Sequence, residues 1–113
     1  MVMPKPPKEF LVDSFIYREY LGEGDWNKPK YGEEKTISFC RIDRGSQYSF
    51  GPSGKQLLYH AVVFCYAGLT DPMPDFKEQS LLIFDGREHK LVKVEPIYEA
   101  YTNEIYSYEI EVI

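Results

Sequence analysis

Long apolar runs and extended helical periodicity are both missing from this 113-residue sequence. No run approaches the roughly 20 apolar residues that a membrane span requires. Residues 1–7 contain three prolines and a lysine, and they lack the apolar core of a secretory signal. We therefore expect a protein that is made and used in a cytosol, without a membrane segment.

Cysteine and histidine are scarce, with two of each, and this limits the chemistry open to the chain. Cys40 and Cys65 have no metal-ligand spacing, and a reducing cytosol disfavours a disulfide, so both are predicted to be small buried hydrophobes. His60 and His89 have no cysteine or second histidine at ligand spacing, and neither has a recognisable nucleophile and orienting carboxylate. We predict structural or interface roles for both histidines, with no metal and no cofactor.

Basic side chains are few in the last third of the chain. Residues 78–113 carry eight acidic and three basic side chains and hold the whole net charge of −5, whereas residues 1–77 are balanced. Tight nucleic-acid binding is disfavoured, because a protein that grips phosphates needs a basic face. Most carboxylates fall at alternating strand positions or in turns, as on a solvated face. A pair that assembles in space for acid–base catalysis, as in a small hydrolase, is a minor alternative.

Aromatic residues are abundant, at 16% of the chain, with ten tyrosines and seven phenylalanines. Tyrosine at this density suits half-buried pleated surfaces, because its ring packs while its hydroxyl stays hydrated. A small nucleic-acid- or ligand-binding barrel would use such rings to stack bases, but it would pair them with a positive groove. We favour packing in a core and at a subunit contact, and keep the binding barrel as the alternative function.

Short runs of β-branched and aromatic residues predict an all-β fold. The predicted strands are residues 10–20, 35–43 and 56–67, a hairpin over 80–94 that turns at Asp85-Gly86, and a closing strand over 106–112. The third strand is apolar on both faces, so we expect it to be central or covered by a neighbouring subunit. Residues 22–32, around Trp26, are predicted to be a turn-rich connection.

The turn spacing indicates the architecture and its boundaries. We predict one domain over residues 1–113, a small five- to six-stranded antiparallel barrel or sandwich with long loops. Residues 1–9 are predicted to form an extended N-terminal arm. Residues 44–55, with three glycines, three serines and a proline, are predicted to form a long flexible loop.

A series of segments in fixed order runs along nearly the whole chain. The segments are Pro-Lys-Pro-Pro-Lys at 4–8, Tyr-Arg-Glu-Tyr-Leu-Gly-Glu-Gly-Asp-Trp-Asn-Lys-Pro-Lys-Tyr at 17–31, Thr-Ile-Ser-Phe-Cys-Arg-Ile-Asp at 36–43, Ala-Val-Val-Phe at 61–64, Pro-Asp-Phe-Lys-Glu-Gln-Ser at 74–80, Phe-Asp-Gly-Arg-Glu-His-Lys-Leu at 84–91 and Tyr-Glu-Ile-Glu-Val at 108–112. This series resembles the minor capsid proteins of tailed phages and prophages of Gram-positive bacteria. The last half is also similar to head–tail joining, or head-closure, proteins. His89 stands where those proteins often have tyrosine or phenylalanine, which favours a packing role.

The resemblance implies a non-enzymatic virion protein, assembled in the bacterial cytoplasm, that forms a ring between portal and tail. Its partners would be further copies of itself, the portal protein, a tail-side adaptor, and duplex DNA that passes without specific binding. In closure proteins the loop after the second strand can reach into the channel and hold packaged DNA. The matching loop is 44–55, and its candidate contact residues are Arg44, Gln47, Tyr48, Phe50 and Lys55. An acidic wall formed from residues 78–113 would repel phosphates and let the duplex slide.

Overall fold

The structure, a computed structural model, describes residues 4–113, so residues 1–3 of the predicted N-terminal arm lie outside the described part. Within this range the chain forms two three-residue 3-10 turns, Lys8–Phe10 and Asp25–Asn27, and ten strands. The strands are β1 (Asp13–Arg18), β2 (Tyr20–Glu23), β3 (Pro29–Tyr31), β4 (Lys35–Asp43), β5 (Gln47–Gly51), β6 (Gly54–Tyr59), β7 (Ala61–Tyr66), β8 (Leu81–Phe84), β9 (Arg87–Tyr98) and β10 (Ile105–Val112). No helix of the described residues is long or apolar enough to cross a membrane.

Six of these strands close into an antiparallel barrel in the order β1-β4-β7-β10-β9-β8, with β8 pairing back onto β1. The predicted all-β fold is confirmed, and of the two predicted arrangements the barrel is the one that forms. Closure gives each of the six strands a partner on both sides, which removes the exposed edges of an open sheet. The other four strands form two separate hairpins, β2–β3 and β5–β6.

The barrel interior is filled by side chains that alternate along each strand. β7 illustrates the pattern, since Ala61, Val63 and Cys65 are buried while the residues between them are only half-buried. Cys40 and Cys65 are buried free thiols, as predicted. Burial raises the pKa of Cys40 to about 12 and raises the pKa of Cys65 as well. Both cysteines therefore act as small core hydrophobes.

The predicted hairpin over residues 80–94 forms as β8 and β9. Its two turn residues, Asp85 and Gly86, have φ angles of +54° and +71°. Both central residues of a tight type I′ turn need positive φ, and the Asp-Gly pair tolerates it better than most. This turn lies at one end of the barrel, next to the end of β4.

The long connection between β7 and β8 closes the opposite end of the barrel. Its Phe76 packs edge-on against the ring of Tyr17, with 5.1 Å between centroids. The Tyr17 hydroxyl donates to Ser80 Oγ at 3.1 Å and accepts from the Lys77 amide at 2.9 Å. Ser80 Oγ also accepts from the Tyr20 amide at 2.9 Å. This network fixes the connection against the end of β1.

A bend in β4 lets one strand serve two neighbours, β1 along its first part and β7 along its last. The change falls at Phe39, whose φ of +62° is rare for a bulky side chain. The Thr70 hydroxyl donates to the Phe39 carbonyl at 2.7 Å, and Ser38 exchanges backbone hydrogen bonds with Asp71. These contacts hold the bulge at which the barrel wall turns.

The prediction of one strand over residues 56–67 is wrong, because the chain bends at His60 and forms β6 and β7 instead. β7 is central in the barrel, between β4 and β10. β6 leaves the wall and pairs with β5. The segment 56–67, which is apolar on both faces, therefore lies in two environments: a barrel strand, β7, and a hairpin strand, β6, on which Leu58 is exposed.

The segment 44–55 is not a long loop, as the sequence suggested, but for the most part a hairpin. Tyr48 pairs with Leu57, and Phe50 pairs with Lys55. Of the residues that suggested a loop, Pro52 lies in the hairpin turn, Gly51 and Gly54 flank that turn with Gly54 at a φ of +100°, and Gly45 precedes the hairpin. β-Propensity at the aromatic positions outweighs the turn composition of their neighbours.

The strand predicted at residues 10–20 is also divided, into β1 and the start of β2. The connection predicted at 22–32 contains most of the β2–β3 hairpin and the 3-10 turn that carries Trp26. Tyr20 and Tyr31 pair across the hairpin, with their ring centroids 6.1 Å apart. This hairpin leaves the barrel at the end of β1, opposite the Asp85-Gly86 turn.

Candidate functional site

The β5–β6 hairpin brings together four of the five candidate residues. Gln47 and Tyr48 lie on β5 near the barrel, Phe50 is 79% exposed near the turn, and Lys55 pairs with it from β6. Lys55 Nζ lies 4.0 Å from the centroid of the Tyr48 ring. Among the described residues, β5 and β6 pair only with each other, so their hairpin projects from the barrel.

The hairpin also differs from the barrel in charge. The chain carries no acidic side chain from Arg44 to Thr70, and Lys55 supplies a positive charge within the hairpin. A cation over an aromatic face is a favourable contact, so Lys55 keeps its charge close to the Tyr48 ring. The projecting element therefore presents aromatic surface and a cation without a carboxylate.

Arg44, the fifth candidate, is separated from the hairpin tip and anchors its base to the barrel. Its Nε donates to Asp85 Oδ2 at 2.6 Å, and its Nη2 lies 3.2 Å from Asp85 Oδ1 and 3.3 Å from Asp13 Oδ1. The hydrogen bond from Arg44 holds the pKa of the Asp85 carboxyl below its ordinary value. Through this bidentate contact with Asp85, Arg44 connects the end of β4 to the β8–β9 turn.

A pocket of about 210 Å³ opens beside this anchor, at the hairpin end of the barrel. We call it the mouth pocket, and its lining residues are Arg44, Ser46, His60, Ala61, Phe84, Asp85, Arg87 and His89. His89 stacks on Phe84 with 4.0 Å between centroids and 9° between planes, in the packing role predicted for it. It is only 8% exposed, and its Nε2 is buried without a hydrogen-bond partner in the described structure. Burial, followed by the nearby charge of Arg87, lowers the pKa of His89.

An acidic groove of about 260 Å³ runs along the outer face of β4, β7, β9 and β10. The residues that line it are Asp43, Tyr59, Val62, Phe64, Glu95, Glu109 and Glu111. Strand register places Glu109 between Phe64 and Glu95, and Glu111 next to Val62. Three carboxylates of the acidic last third therefore gather with Asp43 over an apolar floor. Tyr59, at the base of β6, sets the groove beside the projecting hairpin.

The N-terminal arm crosses the outside of the barrel near the other end of this face. The Tyr106 hydroxyl donates to the Pro4 carbonyl at 2.6 Å, and Lys5 Nζ lies 3.6 Å from the buried Glu99. Farther along, Lys8 Nζ lies 4.1 Å from the ring centroid of Phe39. The described part of the arm is thus held against β10 and β4.

Two exposed aromatic residues were not singled out by the sequence analysis. Trp26 is 91% exposed at the tip of the β2–β3 hairpin, where its φ is +62°. Tyr101 is 97% exposed in the loop between β9 and β10, at the same end of the barrel. The available signal was an aromatic residue close to turn-forming residues, Gly24 and Asp25 before Trp26 and Asn103 after Tyr101, because a turn exposes its side chains.

The described residues contain no group of three or more histidine, cysteine and carboxylate side chains that could hold a metal ion. The candidate functional features are surfaces: the projecting hairpin, the mouth pocket at its base and the acidic groove beside it. Exposed aromatic anchors and charged grooves are typical of contact surfaces between macromolecules.

Comparison with known proteins gives two matches. A family model described as "Minor capsid protein" matches residues 7–112. The chain is 26% identical over 94 residues to "Uncharacterized protein ORF5" of Lactococcus phage LL-H, and the alignment covers 76% of this chain and 80% of that protein. No solved structure matches the chain.

Proposed function

The chain belongs to the minor capsid protein family and is a structural component of a phage virion, and on this basis we propose that it acts at the head–tail junction. It is a subunit of a connector or head-closure ring that lies between the portal protein and a tail-side adaptor. Its role is non-enzymatic and needs no cofactor. The ring assembles in the bacterial cytoplasm and stays in the virion.

The observation that carries this proposal is the β5–β6 hairpin, which leaves the barrel with exposed aromatic residues and without a carboxylate. A hairpin that pairs only with itself is a suitable element to reach from a ring wall into a channel. Phe50 and Tyr48 supply contact area, and Lys55 supplies a positive charge for phosphate or for a neighbouring hairpin. In the assembled ring these hairpins narrow the channel and help to retain packaged DNA.

The acidic groove supports a second part of the proposal, passage of DNA without a firm grip. Asp43, Glu95, Glu109 and Glu111 share one face of the barrel beside the hairpin base. When that face borders the lumen, its carboxylates repel the phosphates within a distance of roughly 10 Å at moderate salt. The duplex then slides along the wall and meets attraction only at the hairpins.

The ring contact itself is proposed to be head-to-tail. Such a contact joins two different surfaces of the subunit, which closes a ring when the rotation between copies is right. The chain offers exposed aromatic residues at both ends of the barrel, with Tyr48 at one end and Trp26 at the other. Aromatic anchors of this kind dominate the energy of many interfaces.

Complementation of a phage whose gene for this chain carries a stop codon tests the proposal. Without the chain, we expect heads that fill but lose their DNA and do not join tails, as seen by electron microscopy. The unaltered chain should restore both properties. A chain with Phe50→Ser and Lys55→Gln should restore tail joining but leave heads that leak. Tyr101→Ser, an exposed aromatic residue at the opposite end, is the matched control and should restore both.

The proposal fails if heads without the chain keep their DNA and join tails normally. A separate titration of the isolated chain with single-stranded and duplex DNA addresses the alternative of a nucleic-acid-binding barrel. Salt-sensitive affinity tighter than micromolar would favour that alternative, because it requires several phosphate contacts. Weak binding agrees with a subunit that lets DNA pass.

A further inference from the structure

We propose that the mouth pocket binds a single phosphate group, held by Arg87, His60 and His89, with Ser46 orienting the His60 ring. The pocket lies at the base of the β5–β6 hairpin and has a volume of about 210 Å³. The site needs only the isolated chain to form. Its biological source rests on the proposed function, in which a backbone phosphate of channel DNA would enter it.

The charge balance of the pocket favours an anion. Two arginines and one carboxylate line the pocket, and that carboxylate, Asp85, accepts two hydrogen bonds from Arg44. Arg44 also donates to Asp13 and to the Ile42 carbonyl. Arg87 has no carboxylate within ion-pair distance in the described structure. Of the two guanidinium groups at the pocket, that of Arg87 is therefore the one without an ion pair.

The two histidines add ring nitrogens that lack partners. When the Ser46 hydroxyl donates to His60 Nδ1, from which its Oγ lies 3.3 Å away, the ring proton of His60 is on Nε2 and can be donated to a ligand. His89 Nε2 is buried and unpartnered among residues 4–113, although a buried polar nitrogen normally has a hydrogen bond. An oxygen of a bound anion in the pocket supplies the missing partner. The stacking of His89 on Phe84 holds its ring in place before the ligand arrives.

The arrangement of donors fits phosphate better than a carboxylate. Arg87 and His89 lie on β9 and His60 lies at the bend between β6 and β7, so the donors approach from separate elements. A tetrahedral anion can accept from several directions, whereas a carboxylate offers its oxygens in one plane. Guanidinium and imidazole groups are also common donors to phosphate oxygens.

Histidine-ring NMR of the full chain tests the site directly, because only two histidines are present. His60→Gln and His89→Gln assign the two ring signals. Inorganic phosphate is added at constant pH and ionic strength, with sodium chloride as the balancing salt. We expect saturable shifts of both rings, and a weaker response to acetate. Arg87→Gln should weaken phosphate binding by about tenfold or more, as expected for loss of a hydrogen bond to a charged group.

Lys93→Gln is the matched control, since it removes the same charge from the same strand. Lys93 is exposed and pairs with Glu95 on the acidic face, away from the pocket. The phosphate affinity of the Lys93→Gln chain should stay within about twofold of that of the unaltered chain, because an exposed ion pair contributes little. Ring signals that do not saturate, or an equal response in Arg87→Gln and Lys93→Gln, would overturn the site.

A short DNA duplex distinguishes the two sources of phosphate. Movement of both ring signals by the duplex, reduced by Arg87→Gln, identifies a backbone phosphate as the ligand. Movement with inorganic phosphate alone identifies free phosphate as the ligand of the same site. Loss of phosphate binding would leave the connector ring untouched, whereas failure of complementation would leave the phosphate site intact, so the two proposals fail separately.

Discussion

Tyr17→Phe should destabilise the barrel by about 2 kcal/mol, because it removes the hydroxyl group from a buried hydrogen-bond network. Tyr17 is only 1% exposed, and its hydroxyl both donates to Ser80 and accepts from the Lys77 amide. The ring of phenylalanine keeps the contact with Phe76, so the loss is confined to hydrogen bonding.

The magnitude follows from the two bonds. A neutral intramolecular hydrogen bond contributes about 0.5–1.5 kcal/mol net, and a buried donor left without an acceptor costs about 1–3 kcal/mol. The Lys77 amide is only partly buried, so water recovers some of its bond and the total stays near 2 kcal/mol. A change of this size lowers the melting temperature by roughly 8 °C in a chain of this length.

Urea unfolding followed by tyrosine fluorescence or circular dichroism measures the change. Tyr101→Phe is the control, because its side chain is 97% exposed, and it should change the free energy of unfolding by less than about 0.5 kcal/mol. Combining Tyr17→Phe with Ser80→Ala should give a coupling energy of about 0.5 kcal/mol or more. The network would be refuted if the Tyr17→Phe chain were as stable as the Tyr101→Phe control and showed no coupling energy with Ser80→Ala.

Three further predictions concern the turn, the thiols and acid stability. Gly86→Ala should cost about 1 kcal/mol in unfolding experiments because its φ is +71°, whereas Gly51→Ala, in extended backbone with open space, should be neutral or stabilising. Cys40 and Cys65 should resist a thiol reagent until denaturant is added, since burial raises both pKa values; rapid labelling of the native chain would contradict their burial. The pKa of His89 is lowered in the fold, so below the ordinary histidine pKa of 6.5 the unfolded chain binds a proton more readily than the folded chain does, and stability should fall as the pH drops. The dependence of the unfolding free energy on pH should be shallower in His89→Gln. An unchanged dependence would disprove this origin.

The sequence predicted the parts of the fold that local chemistry determines. Asp85-Gly86 specified its turn because few residue pairs tolerate positive φ at both positions. β4 was predicted at its observed bounds, since its apolar and β-branched residues lie between charged and glycine-rich segments. The barrel class followed from several short strands with close turns.

The errors arise where tertiary structure decides between two local outcomes. The bend at His60 separates two strands of similar composition, and nothing in their residues shows that β6 leaves the barrel while β7 stays. Residues 47–55 of the β5–β6 hairpin were predicted to be part of a loop because turn residues outnumber strand formers in the segment 44–55, whereas residues 56–59 were predicted to be strand. The candidate contact residues nevertheless lie together, apart from Arg44, whose anchoring role depends on carboxylates 31 and 41 residues away.

The mouth pocket shows the same limit for the candidate site. Its donors come from positions that are far apart in the sequence, and the pairing of β7 and β9 with opposite sides of β10 brings Arg87 and His89 near His60. The acidic groove was partly foreseen, since the charge of residues 78–113 indicated an acidic surface. The contribution of Asp43 and the apolar floor of Phe64 needed the strand register.

Cryo-electron microscopy of the virion, focused on the vertex that carries the tail, tests the central claim most directly. We predict a closed ring of six-stranded barrels between the portal and the tail, with each β5–β6 hairpin pointing into the channel and the acidic groove bordering the lumen. Density for this chain on the outer capsid shell, or a ring whose hairpins and carboxylates face outward, would contradict the account.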